Sequence, residues 1–355
     1  MGGTLFNGLA LVKELVRQGH EVTICNRGRT EADLPEGVGR LVADRSDPES
    51  VAAAIGGQDW DCVQDMTAYH PEDVENMLEV LTGRCGHYVF ASSTVIYAPG
   101  DGSVMDEQHP VDRTDNQNEY GLHKILCEDL LFAQHELAAT SAAFSMVFGP
   151  HNALPHREQR MFARLLAGRP VLIPGDGSTR GCVGHVDDQA EALVRMMGHP
   201  ATFGKRYNLT GDDPYTDESY VSVFEAVTGT SADRRLVPAA LMDDLWDSRV
   251  EVTPGQSKTK VTMDIRSSDE ARKRAVKFAR VNIMSMLIQR LAPNIHRWDE
   301  DVVFGIERLK TDIDWSPRHT METMVADTYR WWRDAGLHVR QDHNWQLEDQ
   351  ILDLL

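Results

Sequence analysis

Apolar residues recur along this chain with two different periods. Near the start, Leu9, Val12, Leu15 and Val16 fall at helical spacing and make one stripe, which Gly19 can end. Residues 20–26 (HEVTICN) read as a strand, and 39–44 and 61–66 read the same way. The pattern turns helical over 50–55 and again over 71–81, where Pro71 suits a first turn. Residues 87–93 form a further strand running into a loop, and 141–148 another. Beyond Gly149 the pattern predicts a helix over 159–166, a strand over 170–174, a helix over 189–197, a strand over 207–211 and helices over 216–227 and 321–333. This alternation of strand and helix is that of an α/β protein.

Two stretches stand apart. Residues 253–260 are polar and turn-rich, and 268–291 read as a long helix whose first half carries Arg272, Lys273, Arg274, Lys277 and Arg280. Those charges fit a solvated face, or else a dimer or lid contact. Residues 343–355 form an acidic-apolar tail with the look of a partner-binding helix. Neither an internal repeat nor a low-complexity segment is present.

The 355 residues suffice for two domains, or for one large α/β unit with an insertion-built lobe. The composition, 41% hydrophobic and 26% charged, is that of a globular protein. No apolar run reaches the ~18–20 residues of a membrane span, and no leader pattern precedes the fold, so a cytoplasmic protein is expected. Cys25, Cys62, Cys85, Cys127 and Cys182 are scattered without a C-x-x-C, which fits reduced thiols better than disulfides or zinc. A net charge of −19 would repel phosphate backbones and counts against nucleic acid as a partner.

The chemistry concentrates in Asn118-Glu119-Tyr120-Gly121-Leu122-His123-Lys124. On a helix, Tyr120 and Lys124 share one face about one turn apart. That spacing suits a phenol acting as acid or base, with an ammonium that lowers its pKa from near ~10. Taken alone, the pair also fits a half-buried Tyr and a solvated Lys. Upstream, Ser92-Ser93-Thr94 closes a strand, and GGTLFNG opens the chain. Gly2 and Gly8 hold the ends of a G-x-x-G-x-x-G spacing, Gly3 is an additional glycine, and Leu5 stands at the middle glycine. Such a turn lets a pyrophosphate rest on a helix N-terminus. It should follow a buried strand, yet Met1 directly precedes Gly2, so the expectation is a start placed too far downstream.

The order of glycine turn, Ser and Tyr/Lys resembles the extended short-chain dehydrogenase/reductase superfamily, the NAD-dependent epimerase/dehydratase family. The resemblance runs from Gly2 to about Leu337 and is strongest over 89–124 and 171–188. It implies a Rossmann-type doubly wound parallel sheet over 1–150 that binds NAD(P). A smaller α/β substrate lobe over 151–340 would follow, atypical over 241–298, with a tail over 341–355. By resemblance Tyr120 is the acid/base, Lys124 binds the nicotinamide ribose, and Ser93 holds the reacting oxygen, with Ser92 and Thr94 beside the substrate. The cofactor would meet Gly2, Gly3, Thr4, Phe6 and Gly8, with Asp44 at the adenine and Thr67 on the nicotinamide side. Where NAD enzymes carry an acidic residue for the ribose, this chain has Asn26-Arg27-Gly28-Arg29. That set favours a 2′-phosphate and NADP(H) over NAD(H), although Arg29 also reads as a solvated loop residue.

Several departures bear on the reaction. Thr94 and Val95 replace the Asp-Glu of the sugar-nucleotide dehydratases, which argues against dehydration. Phe144-Ser145 replaces Arg-Pro, and His123 stands where Ser is usual, reading as a surface histidine. Asn152 and Arg180 fall at substrate positions; Arg180 would grip a diphosphate or else pair with Asp187. GGTLFNG, NRGRT and GHVDD also resemble the chloroplast stem-loop-binding branch of the superfamily. The reading is thus an NAD(P)-dependent oxidoreductase or epimerase acting on a carbinol or carbonyl carbon of a sugar-nucleotide-like small molecule, expected as a homodimer. The alternatives are a nucleic-acid-associated protein and an NADP(H)-sensing, non-catalytic member.

Overall fold

The computed structural model describes residues 1–154, 157–247, 249–250, 252 and 296–355. The expected segments 253–260 and 268–291 lie outside these described residues. Twelve strands appear among them: β1 Thr23–Asn26, β2 Gly39–Val42, β3 Val63–Asp65, β4 Tyr88–Ser93, β5 Ala139–Phe144, β6 Met146–Phe148, β7 Val171–Pro174, β8 Arg180–Gly181, β9 Val183–His185, β10 Lys205–Leu209, β11 Tyr215–Thr216 and β12 Arg234–Val237. The principal helices are α1 Phe6–Arg17, α2 Pro48–Ile55, α3 Pro71–Leu81, α4 Glu119–Ala133, α5 Glu158–Leu166, α6 Val186–Met196, α7 Asp217–Thr228, α8 Ala239–Trp246, α9 Glu307–Ile313, α10 Met321–Asp334 and α11 Gln346–Leu352.

Strand β4 shows why the sheet is central. All six of its residues are buried. Val89 and Ala91 face a core built with α1, α6 and α9, while Tyr88 and Phe90 face a second core built with α2, α3 and α4. A strand covered on both faces cannot alternate apolar with polar, so it reads as a continuous apolar run. Each such side chain stabilises by roughly 1.5–3 kcal/mol when buried. The result is three layers, helix on sheet on helix.

The parallel sheet runs β10-β5-β4-β3, and a parallel pair β1-β2 lies beyond it. Met1 and Gly2 bridge the two parts. The Met1 ammonium donates to the Gln64 carbonyl at 2.7 Å, Met66 N–H donates to the Met1 carbonyl, and Gly2 N–H donates to the Cys25 carbonyl. The place of the expected central strand is therefore taken, over two residues, by Met1 and Gly2.

Two expected strands behave differently from their prediction. The run 141–148 divides at Ser145, whose N–H bonds Leu209 O. Its first part stays in the main sheet as β5, and its second leaves to pair with β9 as β6. The strand expected in the second lobe over 207–211 is β10, and it pairs with β5 in the main sheet. Residues beyond 151 thus return to the main sheet, where α6 and α9 pack in the α1 core. A separate apolar cluster joins α5, β7, α7 and α10.

The acidic-apolar tail is docked on its own chain. Leu347 and Ile351 of α11 pack with Leu172 of β7 and Val237 of β12. Glu348, 1% exposed, is paired with Arg160 at 2.6 Å and Arg164 at 2.5 Å. Arg160 also lies over the Trp345 ring, 4.4 Å from its centroid. This apolar face is spent inside the protein, which corrects the expectation of a free partner-binding helix.

Candidate active site

The glycine turn folds as its residues dictate. Gly2 and Gly3 take φ of +94° and +95°, a region that L side chains avoid. A Cβ on Gly8 would stand 2.9 Å from Gly3 N, so only glycine lets α1 close on the turn. Phe6 itself has φ +34°. Thr4 lies between these glycines and the helix. Leu5 occupies the N-cap position of α1 and makes no side-chain cap bond. A helix start without a side-chain cap suits an anionic phosphate, and the turn fits a dinucleotide on these grounds.

Around the turn, the Asn26 amide donates to Gly2 O at 3.0 Å and its oxygen accepts from Gly28 N–H at 2.8 Å. Asn26 thereby ties the end of β1 to the turn. Arg27 and Arg29 are exposed just beyond. Asp44 accepts from the Ser46 N–H and hydroxyl, which hold its carboxyl below the usual range, and both arginines add to that effect. Thr67 donates its N–H to Asp65 at 3.0 Å and accepts from Arg45 at 2.8 Å.

Helix α4 begins at Asn118, whose side chain accepts from Gly121 N–H at 2.8 Å. This cap places Tyr120 in the first turn, beside the end of β4. There the Ser93 side chain favours the Tyr120 phenolate. Ser93 is also near Phe144 O at 3.4 Å and accepts from Val95 N–H. Tyr69 packs on Tyr120 with ring centroids 6.2 Å apart.

Lys124 is 2% exposed and donates to Ala68 O at 2.6 Å and Ala91 O at 2.5 Å. Burial holds its pKa down at about 8. The expectation that this ammonium lowers the Tyr120 pKa does not describe the arrangement seen. Loss of water around the phenol raises its pKa above the ordinary value, and Ser93 and Arg157 oppose the rise. The ammonium is 5.6 Å from the Tyr120 ring centroid and engaged with backbone carbonyls.

The substrate positions divide. Thr94 Oγ1 donates to Phe144 O at 3.3 Å, and Ser92 Oγ is buried with no hydrogen-bond partner among the described residues. Asn152 is spent on structure: its amide donates to Glu158 at 2.8 and 3.1 Å, and its oxygen accepts from Leu154 N–H. Arg180 pairs with Asp301 at 2.8 Å and donates to Gly102 O, so its ion pair is with Asp301 and not Asp187. His123 is partly exposed, beside His70 with ring centroids 4.8 Å apart and 4.0 Å from the Glu119 carboxylate.

Sequence reasoning missed Arg157 and Arg45. Arg157 precedes α5, and its charge favours the Tyr120 phenolate. Its neighbour Glu158 is fully buried, with burial raising its pKa to about 7. Nothing local in the sequence marks either arginine, because both reach the site through folding.

The sequence profile of the NAD dependent epimerase/dehydratase family matches residues 1–210. The chain belongs to this family. Its sequence is 31% identical over 225 residues to the chloroplast stem-loop binding protein of 41 kDa b from Arabidopsis thaliana, covering 60% of this chain and 58% of that protein. It is 23% identical over 219 residues to 2'-dehydrokanamycin reductase of Streptomyces kanamyceticus, covering 60% and 61%. The family member thus aligns with about three fifths of the length of these curated relatives. Among solved structures, dTDP-glucose 4,6-dehydratase from Bacillus anthracis in complex with NAD superposes with a TM-score of 0.68, at 15% identity over 95% of this chain and 96% of that one. That likeness is one of fold. Among the described residues no helix is long and apolar enough to cross a membrane, and the five cysteines are free thiols.

Proposed function

We propose that this family member is a nicotinamide-dinucleotide-dependent oxidoreductase or epimerase acting at a carbinol or carbonyl carbon. The observation that carries the reading is the meeting of Ser93, Tyr120 and Lys124 at the end of β4, beside a glycine turn whose helix start has no side-chain cap. In this reading Tyr120 moves the proton of the substrate oxygen, and Ser93 holds that oxygen by hydrogen bonding. Lys124 turns from Ala68 O and Ala91 O to the ribose hydroxyls. The dinucleotide, when bound, supplies the hydride acceptor or donor. It would be held by Gly2, Gly3, Thr4, Phe6 and Gly8, with Asp44 at the adenine and Thr67 near the nicotinamide. Arg27 and Arg29 support NADP(H) over NAD(H).

A sugar-nucleotide-like substrate is supported by Arg180, which is 43% exposed despite its pairing with Asp301. Ser92 and Thr94 would line the reacting end, and Asn152 would shape the wall through Glu158. A homodimer through the helices beside Tyr120 belongs to the same reading.

The deciding experiment is calorimetric titration with NAD, NADH, NADP and NADPH, joined to a search for nicotinamide in the purified protein. Retained NAD points to an epimerase, and exchangeable NADPH points to a reductase. No binding by the folded protein removes the enzyme reading.

A second reading, a nucleic-acid-associated protein, is favoured by the 31% identity to the stem-loop-binding protein. The net charge of −19 opposes it. An electrophoretic shift of stem-loop RNA at low salt separates the two.

A further inference from the structure

Arg45 lies outside every position assigned so far, yet it ties together the loop that faces Lys124. Its guanidinium makes a two-pronged pair with Asp65, one prong at 2.6 Å. The same guanidinium donates to Thr67 Oγ1 at 2.8 Å and to Asp73 O at 3.3 Å, and its Nε stands 3.3 Å from the Asp73 carboxylate. The two carboxylates so bridged hold the loop at both ends. Asp65 accepts from Thr67 N–H at 3.0 Å, while Asp73 accepts from Tyr69 N–H at 2.8 Å and His70 N–H at 3.0 Å. Tyr88 fixes Asp65 from the sheet with a 2.5 Å hydrogen bond.

Between those anchors lie the two features that the loop presents to the site. The Ala68 carbonyl takes the Lys124 ammonium, and the Tyr69 ring stands 4.9 Å from that ammonium and against Tyr120. Asp65 is fully buried, and Arg45 is mostly buried. A planar fork with five donors can serve Asp65, Thr67 and Asp73 at once, which a lysine ammonium cannot do in the same geometry.

We propose that Arg45, through Asp65 and Asp73, is a positioning residue that sets the 66–70 loop for the nicotinamide ring of the dinucleotide. This rests on the dinucleotide reading above. It differs from a purely structural ion pair in predicting that the two halves of the dinucleotide are affected unequally. The phosphate and adenine end is held by the glycine turn, whereas the nicotinamide end depends on the loop.

The test compares wild type with Arg45→Lys, Arg45→Met and Thr67→Val, each titrated calorimetrically with NAD(P)H and with ADP-ribose, which lacks the nicotinamide ring. Nicotinamide fluorescence reports the environment of the ring. Thr67→Val removes the Arg45–Thr67 bond without touching the Asp65 pair. Arg45→Lys keeps the charge but loses the fork. Both variants should weaken NAD(P)H binding by about tenfold, the scale of one lost hydrogen bond to a charged group. Their ADP-ribose affinity should stay within about twofold of wild type, and bound nicotinamide fluorescence should change. The Arg45→Lys, Thr67→Val double variant should be no worse than the stronger single one, because both break one connection; additive losses would mean that Thr67 acts by its own contact and would overturn the role of Arg45. If Arg45→Met fails to fold, the other two variants carry the test. Wild-type affinity for NAD(P)H in both milder variants, or equal losses for NAD(P)H and ADP-ribose, overturns the positioning role. Failure of wild type itself to bind any nicotinamide dinucleotide overturns the underlying reading, and is seen before any variant is made.

Discussion

Lys124 and Tyr120 share one face of α4, yet the Lys124 ammonium points past the phenol, 5.6 Å from the ring centroid, and bonds the Ala68 and Ala91 carbonyls. The same loss of water therefore moves the two residues in opposite directions. Burial lowers the lysine to about 8 and lifts the tyrosine above its ordinary value.

This sets a pH dependence for ligand binding. Below about pH 8 the buried ammonium is charged and able to donate to ribose hydroxyls; above it the charge is lost. Nicotinamide dinucleotide affinity should fall as pH rises through about 8, by up to about tenfold per pH unit for one linked proton. Lys124→Met should bind weakly and flatten that dependence, which calorimetry between pH 6.5 and 9.5 would reveal.

Tyr120→Phe should leave dinucleotide affinity near wild type and lower turnover by about 10²-fold or more, the scale of general acid–base catalysis. A single-turnover assay with a reducible or epimerisable substrate is the measurement. Unchanged turnover would remove Tyr120 from the chemistry.

His87 offers a stability test in the acid range. It is fully buried, with one ring nitrogen 2.8 Å from Thr140 Oγ1 and the other accepting from Gly198 N–H at 3.1 Å. Burial lowers its pKa from 6.5 to about 4. The unfolded chain takes up this proton near 6.5 and the folded one only near 4. The contribution, on the order of 3 kcal/mol, is present above pH 6.5 and is lost as pH falls through that window. Urea unfolding at pH 7.5 and 5 should show the loss, and His87→Gln should reduce the difference.

Glu348 should prove costly to remove. Glu348→Ala leaves the Arg160 and Arg164 guanidiniums without their carboxylate in a buried site, and breaking such a group costs about 3–5 kcal/mol. Chemical denaturation should register that loss. Removing residues 341–355 should destabilise as well, by exposing Leu172 and Val237.

Gly8→Ala should impair the turn directly. The new methyl would lie 2.9 Å from Gly3 N and 3.1 Å from its Cα. An overpacked contact of this kind costs about 1–3 kcal/mol. NAD(P)H and ADP-ribose should lose affinity together, the opposite of the pattern expected for Thr67→Val.

Much of this molecule is determined by short-range chemistry that the chain displays openly. The α1 stripe, the Pro71 helix start, the apolar β4 run and the Tyr120–Lys124 spacing depend on residues within a few positions of each other. The layered α/β fold and the place of the candidate site at the end of β4 follow from them. What the tertiary structure decided are matters of long-range pairing. Residues 205–209 join β5 in the main sheet, because a strand's hydrogen-bond partner is set by packing and not by its own pattern. Arg180 meets Asp301 across 121 positions, and the tail closes on Arg160 across 188. The engagement of Lys124 with Ala68 O, the raised phenol of Tyr120 and the Arg45 fork all depend on burial and on charges brought together from distant segments. Burial and distance arise only when the chain has folded, so no local pattern could announce them.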